Sequence, residues 1–276
     1  MQTKDTLAGK TVLVLGFGRQ GKALARWLPK IGASVVVNDS RTEEALNLNR
    51  RDYPGVRFIL GDHPDNAVNG VVVICVSGGI PLDLPMLEIA RQRNLTITND
   101  AQLFLERCPA PVIGITGSAG KTTTTSLVGE IVQRAGYKTW VGGNIGDVLL
   151  DVLDDIDRED VVVMELSSFQ LDLMTISPQV GAIINITPNH LDRHKTMEAY
   201  INAKVNIIKY QTSRDIAVLS ADNQITNSLE VAVKGELAQF SNRQMVLNGT
   251  FAIGNRLMVS GTASYDYVPH VLCQKD

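Results

Sequence analysis

At 276 residues, and at roughly 100–200 residues per domain, the chain has room for about two domains, and its 44% hydrophobic content is that of an ordinary globular protein. A net charge of −3 leaves no basic footprint for nucleic acid or an anionic membrane surface, so neither is expected as a partner. No apolar stretch reaches membrane-spanning length, and the run Val12–Leu15 behind Lys4, Asp5 and Lys10 is too short for a signal sequence, which excludes membrane insertion and export and predicts a cytoplasmic protein.

Apolar runs at Val12–Leu15, Val35–Val37, Phe58–Leu60, Val71–Val76 and Thr96–Thr98 predict buried parallel strands. Between them Ala23, Leu24, Trp27, Leu28 and Ile31 recur at helical spacing, and Pro81–Arg93 predicts a second helix with Met86, Leu87, Ile89 and Ala90 toward the sheet. Strands alternating with helices mean an α/β, Rossmann-like domain over residues 1–108. The segment Cys108-Pro-Ala-Pro111 breaks the pattern. Cys75, Cys108 and Cys273, odd in number and widely spaced, form neither a zinc spacing nor a redox pair, so reduced thiols are expected.

Gly16-Phe-Gly18-Arg-Gln-Gly21 follows the first strand and opens a helix, with Asp39 closing the second strand, the dinucleotide-binding fingerprint in both spacing and context. Read alone it suggests NAD, yet any nucleotide diphosphate can use such a loop and helix dipole, and a tight turn without ligand has the same sequence. Asn38-Asp-Ser-Arg41 and Ser77-Gly-Gly-Ile-Pro81 add polar groups and a second loop where strands end, outlining a site at the carboxyl edge of the sheet.

Residues 109–276 predict a second, P-loop ATPase-like α/β domain. Its expected strands are Val112–Thr116, Val161–Leu166, Val180–Ile186 and Ile216–Leu219, and its helices Lys121–Ala135, Ser168–Met174 and Thr196–Tyr210. From Leu237 to Val271 short β-like runs with turns at Asn248-Gly249 and Gly254-Asn255 predict a hairpin or small antiparallel sheet.

The most informative stretch lies at Val112–Thr125, where a strand runs through T-G-S-A-G-K-T-T into a helix. Gly117 and Gly120 let backbone N–H groups turn toward an anion, Lys121 can reach outer phosphates, and the Thr122 hydroxyl can ligate Mg²⁺. Ile115 stands where the standard loop has its first Gly, so this is a variant loop. Glu165, at the tip of a buried run, offers oxygen to a hard cation. His190, Asp192, Arg193 and His194 cluster at another strand end. Lys204 sits among apolar neighbours on a helix, and spacing alone makes it a solvated or snorkelling lysine. A nicotinamide-dependent dehydrogenase would explain only the first loop, a small-molecule kinase only the second. A non-enzymatic nucleotide-binding module remains a third reading.

In combination, TGSAGKTTT, GGNIG at Gly142–Gly146, ELSSFQL, NITPNHLDRH and AYxxAKxxI occur in the order found in the Mur ligases of bacterial cell-wall synthesis, and the whole chain resembles that family. The SSFQL and GFGRQG versions look most like the member that adds D-glutamate to UDP-N-acetylmuramoyl-L-alanine. The resemblance implies an ATP-dependent amide-bond ligase of peptidoglycan precursor synthesis, monomeric, working through an acyl phosphate with two Mg²⁺ ions. It implies that Gly117, Ser118, Ala119, Gly120, Lys121, Thr122 and Thr123 hold ATP. Thr122, Glu165, His190 and a carbamylated Lys204 would ligate metal, and Lys121, Glu165, His190 and Lys204 would carry the chemistry. Arg19, Gln20, Asp39, Ser40, Arg41, Gly79, Asn144, Ser167 and His190 would hold the UDP substrate, so the first loop would take UDP in place of NAD. Gly78 stands where the family commonly has Pro, and Asn189 where many members have Asp. Family members also carry a C-terminal domain for the incoming amino acid. The chain is therefore expected to be the first two domains, inactive or nearly so alone.

Overall fold

A computed structural model describes residues 5–146 and 148–261; Cys273 and the end of the expected hairpin lie outside them. The chain divides into two compact units, Met1–Cys108 with Gly142–Ile156, and Pro109–Val141 with Asp157–Asp276. The segment 142–156, read in the sequence as part of the second domain, packs with the first. Among the described residues no helix is long and apolar enough to cross a membrane.

The first unit is built on β1 (Thr11–Leu15), α1 (Arg19–Lys30), β2 (Ser34–Asp39), β3 (Arg57–Leu60), β4 (Val73–Val76), α2 (Pro85–Gln92), β5 (Thr96–Thr98) and α3 (Asp100–Leu105). Its five strands are all parallel, in the order β3-β2-β1-β4-β5. That is the doubly wound arrangement, whose order reverses between β1 and β4, and there the two glycine-containing loops emerge. Continuous burial of Val12–Leu15 and Val35–Val37 gives the sheet its core, as expected for strands covered on both faces. A Cβ on Gly21 would overlap the Gly16 carbonyl oxygen, so only glycine lets α1 pack this closely on the loop.

Helix α2 starts at Pro85, four residues later than the periodicity predicts, because Pro85 takes the first helical position and Leu84 before it is extended. Helix α3 was not foreseen; Asn99 caps it immediately after β5 by accepting from the Gln102 N–H.

The second unit contains β6 (Val112–Thr116), α4 (Lys121–Arg134), β7 (Thr139–Gly143), β8 (Val161–Glu165), α5 (Ser168–Asp172), β9 (Val180–Ile183), α6 (Leu191–His194), α7 (Met197–Lys209), β10 (Ile216–Ser220), α8 (Gln224–Ser228), β11 (Glu236–Ser241), β12 (Gly249–Ile253) and β13 (Arg256–Ser260), with β7 running on into the first unit. The eight strands lie in the order β13-β12-β11-β10-β9-β6-β8-β7. Ile115, Val163 and Ala182 from the adjacent strands β6, β8 and β9 form a core cluster, with Val128 of α4 packed on it.

The expected antiparallel tail is half right. Strands β12 and β13 pair antiparallel around Gly254-Asn255, but β11 and β12 run parallel, so Asn248-Gly249 leads into a strand and is no hairpin turn. Strand β9 ends at Ile183, short of the Ile186 predicted, and the three residues beyond it turn toward the nucleotide-type loop.

Candidate functional site

In the first unit, Asp39 at the tip of β2 is buried and holds both the glycine loop and Arg41. Its Oδ2 accepts from the Phe17 N–H of the glycine loop at 2.6 Å, and its two oxygens accept from Arg41 Nε and Nη2 at 2.8 and 2.7 Å. Burial alone would raise this carboxyl, but Arg41 and the N–H groups of Phe17 and Arg41 outweigh it and hold the pKa at about 2. Asp39 thus braces the loop and orients a half-exposed guanidinium, Arg41, that can meet an anion.

Arg19, at the start of α1, donates through Nη2 to the Asn144 carbonyl at 2.7 Å and through Nη1 to that of Gly146 at 2.9 Å. Arg26, two turns on, forms a bidentate pair with Asp151. Both arginines tie the segment 142–156 to α1, and Asn144 therefore belongs to the same unit as the glycine loop. The Ser77 hydroxyl donates to the Gly16 carbonyl at 3.0 Å, joining the second loop to the first. Gln20 is half-buried beside Arg19, while Ser40 and Gly79 are exposed at the same carboxyl edge.

In the second unit the loop 117–120 lies between β6 and α4. Gly120 has φ +81°, a left-handed conformation that glycine adopts without strain, and this aims the first N–H groups of α4 out of the loop. Lys121 Nζ folds back to the Gly117 carbonyl at 3.1 Å. The Thr122 hydroxyl donates to Glu165 Oε2 at 2.8 Å, and Glu165 is 1% exposed. A hydroxyl and a carboxylate side by side below a phosphate-type loop are the hard oxygen donors that suit Mg²⁺.

Lys204 of α7 is also 1% exposed, and its Nζ donates to the same Gly117 carbonyl at 3.0 Å and to Thr116 Oγ1 at 3.2 Å. Burial first, and the neighbouring Lys121 cation second, bring its pKa down to about 7. The expectation of a solvated lysine from spacing alone is corrected here. The buried Nζ reaches under the loop, past the Tyr200 ring with 4.8 Å between nitrogen and centroid.

His190 is exposed, with φ +53°, and its ring stands edge-on to Phe169 at 5.2 Å. His194 is buried, stacked on Phe169 and sharing a 2.9 Å hydrogen bond with Ser168 Oγ. Ser167 serves as N-cap of α5 in a full capping box with Gln170, a role its local sequence explains by itself. Among the described residues no three His, Cys, Asp or Glu side chains gather into a metal-type cluster.

Sequence reading missed Asn185. Two residues beyond β9, its Oδ1 accepts from the N–H groups of Ser118 and Ala119, both at 3.0 Å, and its Nδ2 donates to the Ala119 carbonyl at 2.9 Å. The available signal was a polar residue in an apolar strand run, directly ahead of the Thr-Pro-Asn-His turn. A cavity of about 490 Å³ opens beside it, lined also by Asp222, Asn223, Phe240, Arg243 and Leu257.

Two family descriptions match the chain: Mur ligase middle domain over residues 115–253, and Mur ligase MurD-like N-terminal domain over residues 10–99. The UDP-N-acetylmuramoylalanine–D-glutamate ligase of Clostridium novyi is 41% identical over 260 residues, covering 94% of this chain and 57% of that protein. The enzyme of the same name from Clostridium acetobutylicum is 40% identical over 248 residues, covering 89% and 54%. The chain thus spans about half the length of the curated relatives it matches. In fold it is similar to the UDP-N-acetylmuramate:L-alanyl-gamma-D-glutamyl-meso-diaminopimelate ligase from Neisseria meningitides, with a TM-score of 0.57 at 17% identity over 92% of this chain and 85% of that one.

Proposed function

The chain belongs to the Mur ligase family, and on that footing we propose that it carries the substrate- and nucleotide-holding parts of a D-glutamate-adding ligase. The whole protein would use ATP to join D-glutamate to UDP-N-acetylmuramoyl-L-alanine in peptidoglycan precursor synthesis, as a cytoplasmic monomer. The substrate carboxylate would attack the γ-phosphorus of ATP, releasing ADP and leaving an acyl phosphate. The D-glutamate amine would then attack the acyl carbon, expel phosphate and lose a proton to give the amide.

The observation that carries this reading is the meeting of Lys121 and Lys204 on one carbonyl, that of Gly117, beside the Thr122–Glu165 pair. Phosphoryl transfer needs cations positioned around spreading negative charge more than it needs covalent help. Lys121 is free to swing from the Gly117 carbonyl to an outer phosphate. Thr122 and Glu165 would hold one Mg²⁺, and His190 with a carbamylated Lys204 a second; bound Mg²⁺ would neutralise charge on the phosphates.

A pKa of about 7 leaves much of Lys204 as the neutral amine at neutral pH, the form that can add CO₂. The nitrogen lone pair forms the N–C bond, the proton leaves to water, and an anionic oxygen donor replaces a cation. This would also remove the repulsion between Lys204 and Lys121. Intact-mass measurement in bicarbonate buffer showing only unmodified Lys204 would count against it.

In the first unit, Arg41 held by Asp39 would face the diphosphate, with Arg19, Gln20, Ser40, Gly79 and Asn144 contributing to the UDP site. Calorimetry of the 276-residue chain with UDP-N-acetylmuramoyl-L-alanine, with ATP and Mg²⁺, and with NAD tests the assignment. Uptake of the first two and not of NAD is expected. Uptake of NAD without the UDP substrate would overturn it.

A further inference from the structure

We infer that Asn185 is a positioning residue of the nucleotide loop, one that takes up the Ser118 and Ala119 N–H groups and leaves phosphate reception to the N–H groups of Gly120, Lys121, Thr122 and Thr123. The inference rests on the nucleotide reading above and corrects it in one respect. Ser118 and Ala119 shape the loop; their amides are not phosphate ligands.

The geometry is that of a splint. One side-chain oxygen accepts from two successive amides, each at 3.0 Å, and the Asn185 amide nitrogen returns a bond of 2.9 Å to the Ala119 carbonyl. The Asn185 carbonyl accepts from the Ser118 N–H as well, at 3.0 Å. Ser118 adds its hydroxyl: it donates to the Thr187 carbonyl at 2.9 Å and accepts from the Thr187 N–H at 2.9 Å. Its one proton being used there, the 2.9 Å contact with Tyr200 has the tyrosine as donor. The splint is itself anchored, since the Asn223 side chain, which caps α8, donates to the Ile186 carbonyl at 3.1 Å.

An amide suits this place and a carboxylate does not. Asp at 185 would turn an oxygen lone pair toward the Ala119 carbonyl and set a negative charge against the loop that receives phosphate. The four N–H groups left over are those at the start of α4, which have no partner within the helix and point with its positive dipole end.

The test compares the unsubstituted 276-residue chain with Asn185→Ala and Asn185→Asp. Without nucleotide, amide exchange at Ala119 is expected to rise roughly tenfold or more in Asn185→Ala, with β6 and β8 unchanged and Ser118, which keeps the Asn185 backbone carbonyl, less affected. Affinity for MgADP is expected to fall about tenfold in Asn185→Ala and further in Asn185→Asp, while affinity for the UDP substrate stays within about twofold. Wild-type MgADP affinity in Asn185→Ala with its Ala119 amide exchanging freely would overturn the inference, as would unaltered Ala119 exchange in that variant. Should Asn185→Ala not fold, Asn185→Leu, of similar volume and with no polar atom to accept from the amides, carries the exchange comparison, and Asn185→Asp the affinity one. If the unsubstituted chain takes up no MgADP, the nucleotide reading fails by itself. The exchange result then decides for the splint if the amides open and against it if they do not.

Discussion

Each unit has a glycine-containing loop after the first strand of its sheet in chain order, and each secures that loop with one polar side chain from a neighbouring strand end, yet the two side chains differ in charge. In the first unit a carboxylate, Asp39, holds the loop through the Phe17 N–H and is neutralised by the Arg41 guanidinium. In the second a neutral amide, Asn185, holds the Ser118 and Ala119 amides, while the Lys121 and Lys204 side chains both donate to the Gly117 carbonyl. A bracing anion is tolerable beside an anion-binding loop only with its own counter-cation. Where a triphosphate would stand, a brace without charge avoids the conflict altogether.

The contrast can be broken from either side. The largest effect should come from Lys121→Ala, which removes the mobile cation. Phosphate release by the whole protein should drop on the order of 10²–10³-fold, with UDP-substrate affinity unchanged by calorimetry. Glu165→Gln should come next, weakening ATP binding roughly tenfold and raising the Mg²⁺ concentration at which it is half-maximal. Arg19→Ala should loosen the Asn144 and Gly146 carbonyls and lower UDP-substrate affinity about five- to tenfold, leaving MgADP binding as it was. An equal loss of both ligands in that variant would mean the two loops are not independently braced.

The smallest effect is a pH dependence. Asp39 sits at about 2 in the folded chain against an ordinary 3.8, so its contribution to stability is present above the ordinary value and lost as pH falls toward 2. Denaturant midpoints of Asp39→Asn should therefore decline less steeply between about pH 4 and pH 2 than those of the unsubstituted chain. A parallel decline would remove Asp39 from the account.

Most of the inner strands were legible because both faces of a parallel sheet are covered, which forces unbroken apolar runs such as Val12–Leu15 and Val162–Met164. Both glycine loops were legible for the same kind of reason: local geometry demands particular residues at fixed offsets. What escaped was set by contacts between distant parts of the chain. The parallel entry into β12 depends on the Gly249 backbone lying against Gln239, where a Cβ would overlap the Gln239 carbonyl. Asn185 was absorbed into a strand, since no local pattern says that its amide reaches across to residue 118. Lys204 has the spacing of a surface residue, and only the packing of α7 under the loop reveals its buried nitrogen.

The return of Gly142–Ile156 to the first unit makes the chain cross between the two bodies three times, after Cys108, after Val141 and after Ile156. Neither body is a continuous stretch of gene. A chimaera joined at residue 108 would give the incoming half a foreign Asp151 to meet Arg26, and foreign carbonyls at 144 and 146 to meet Arg19. Exchanging the first body between relatives therefore means transplanting the short patch along with it. A protease that nicks the crossing after Cys108 would leave residues 1–108 held to the remainder only by their noncovalent packing with 142–156, through bonds such as those of Arg19 and Arg26.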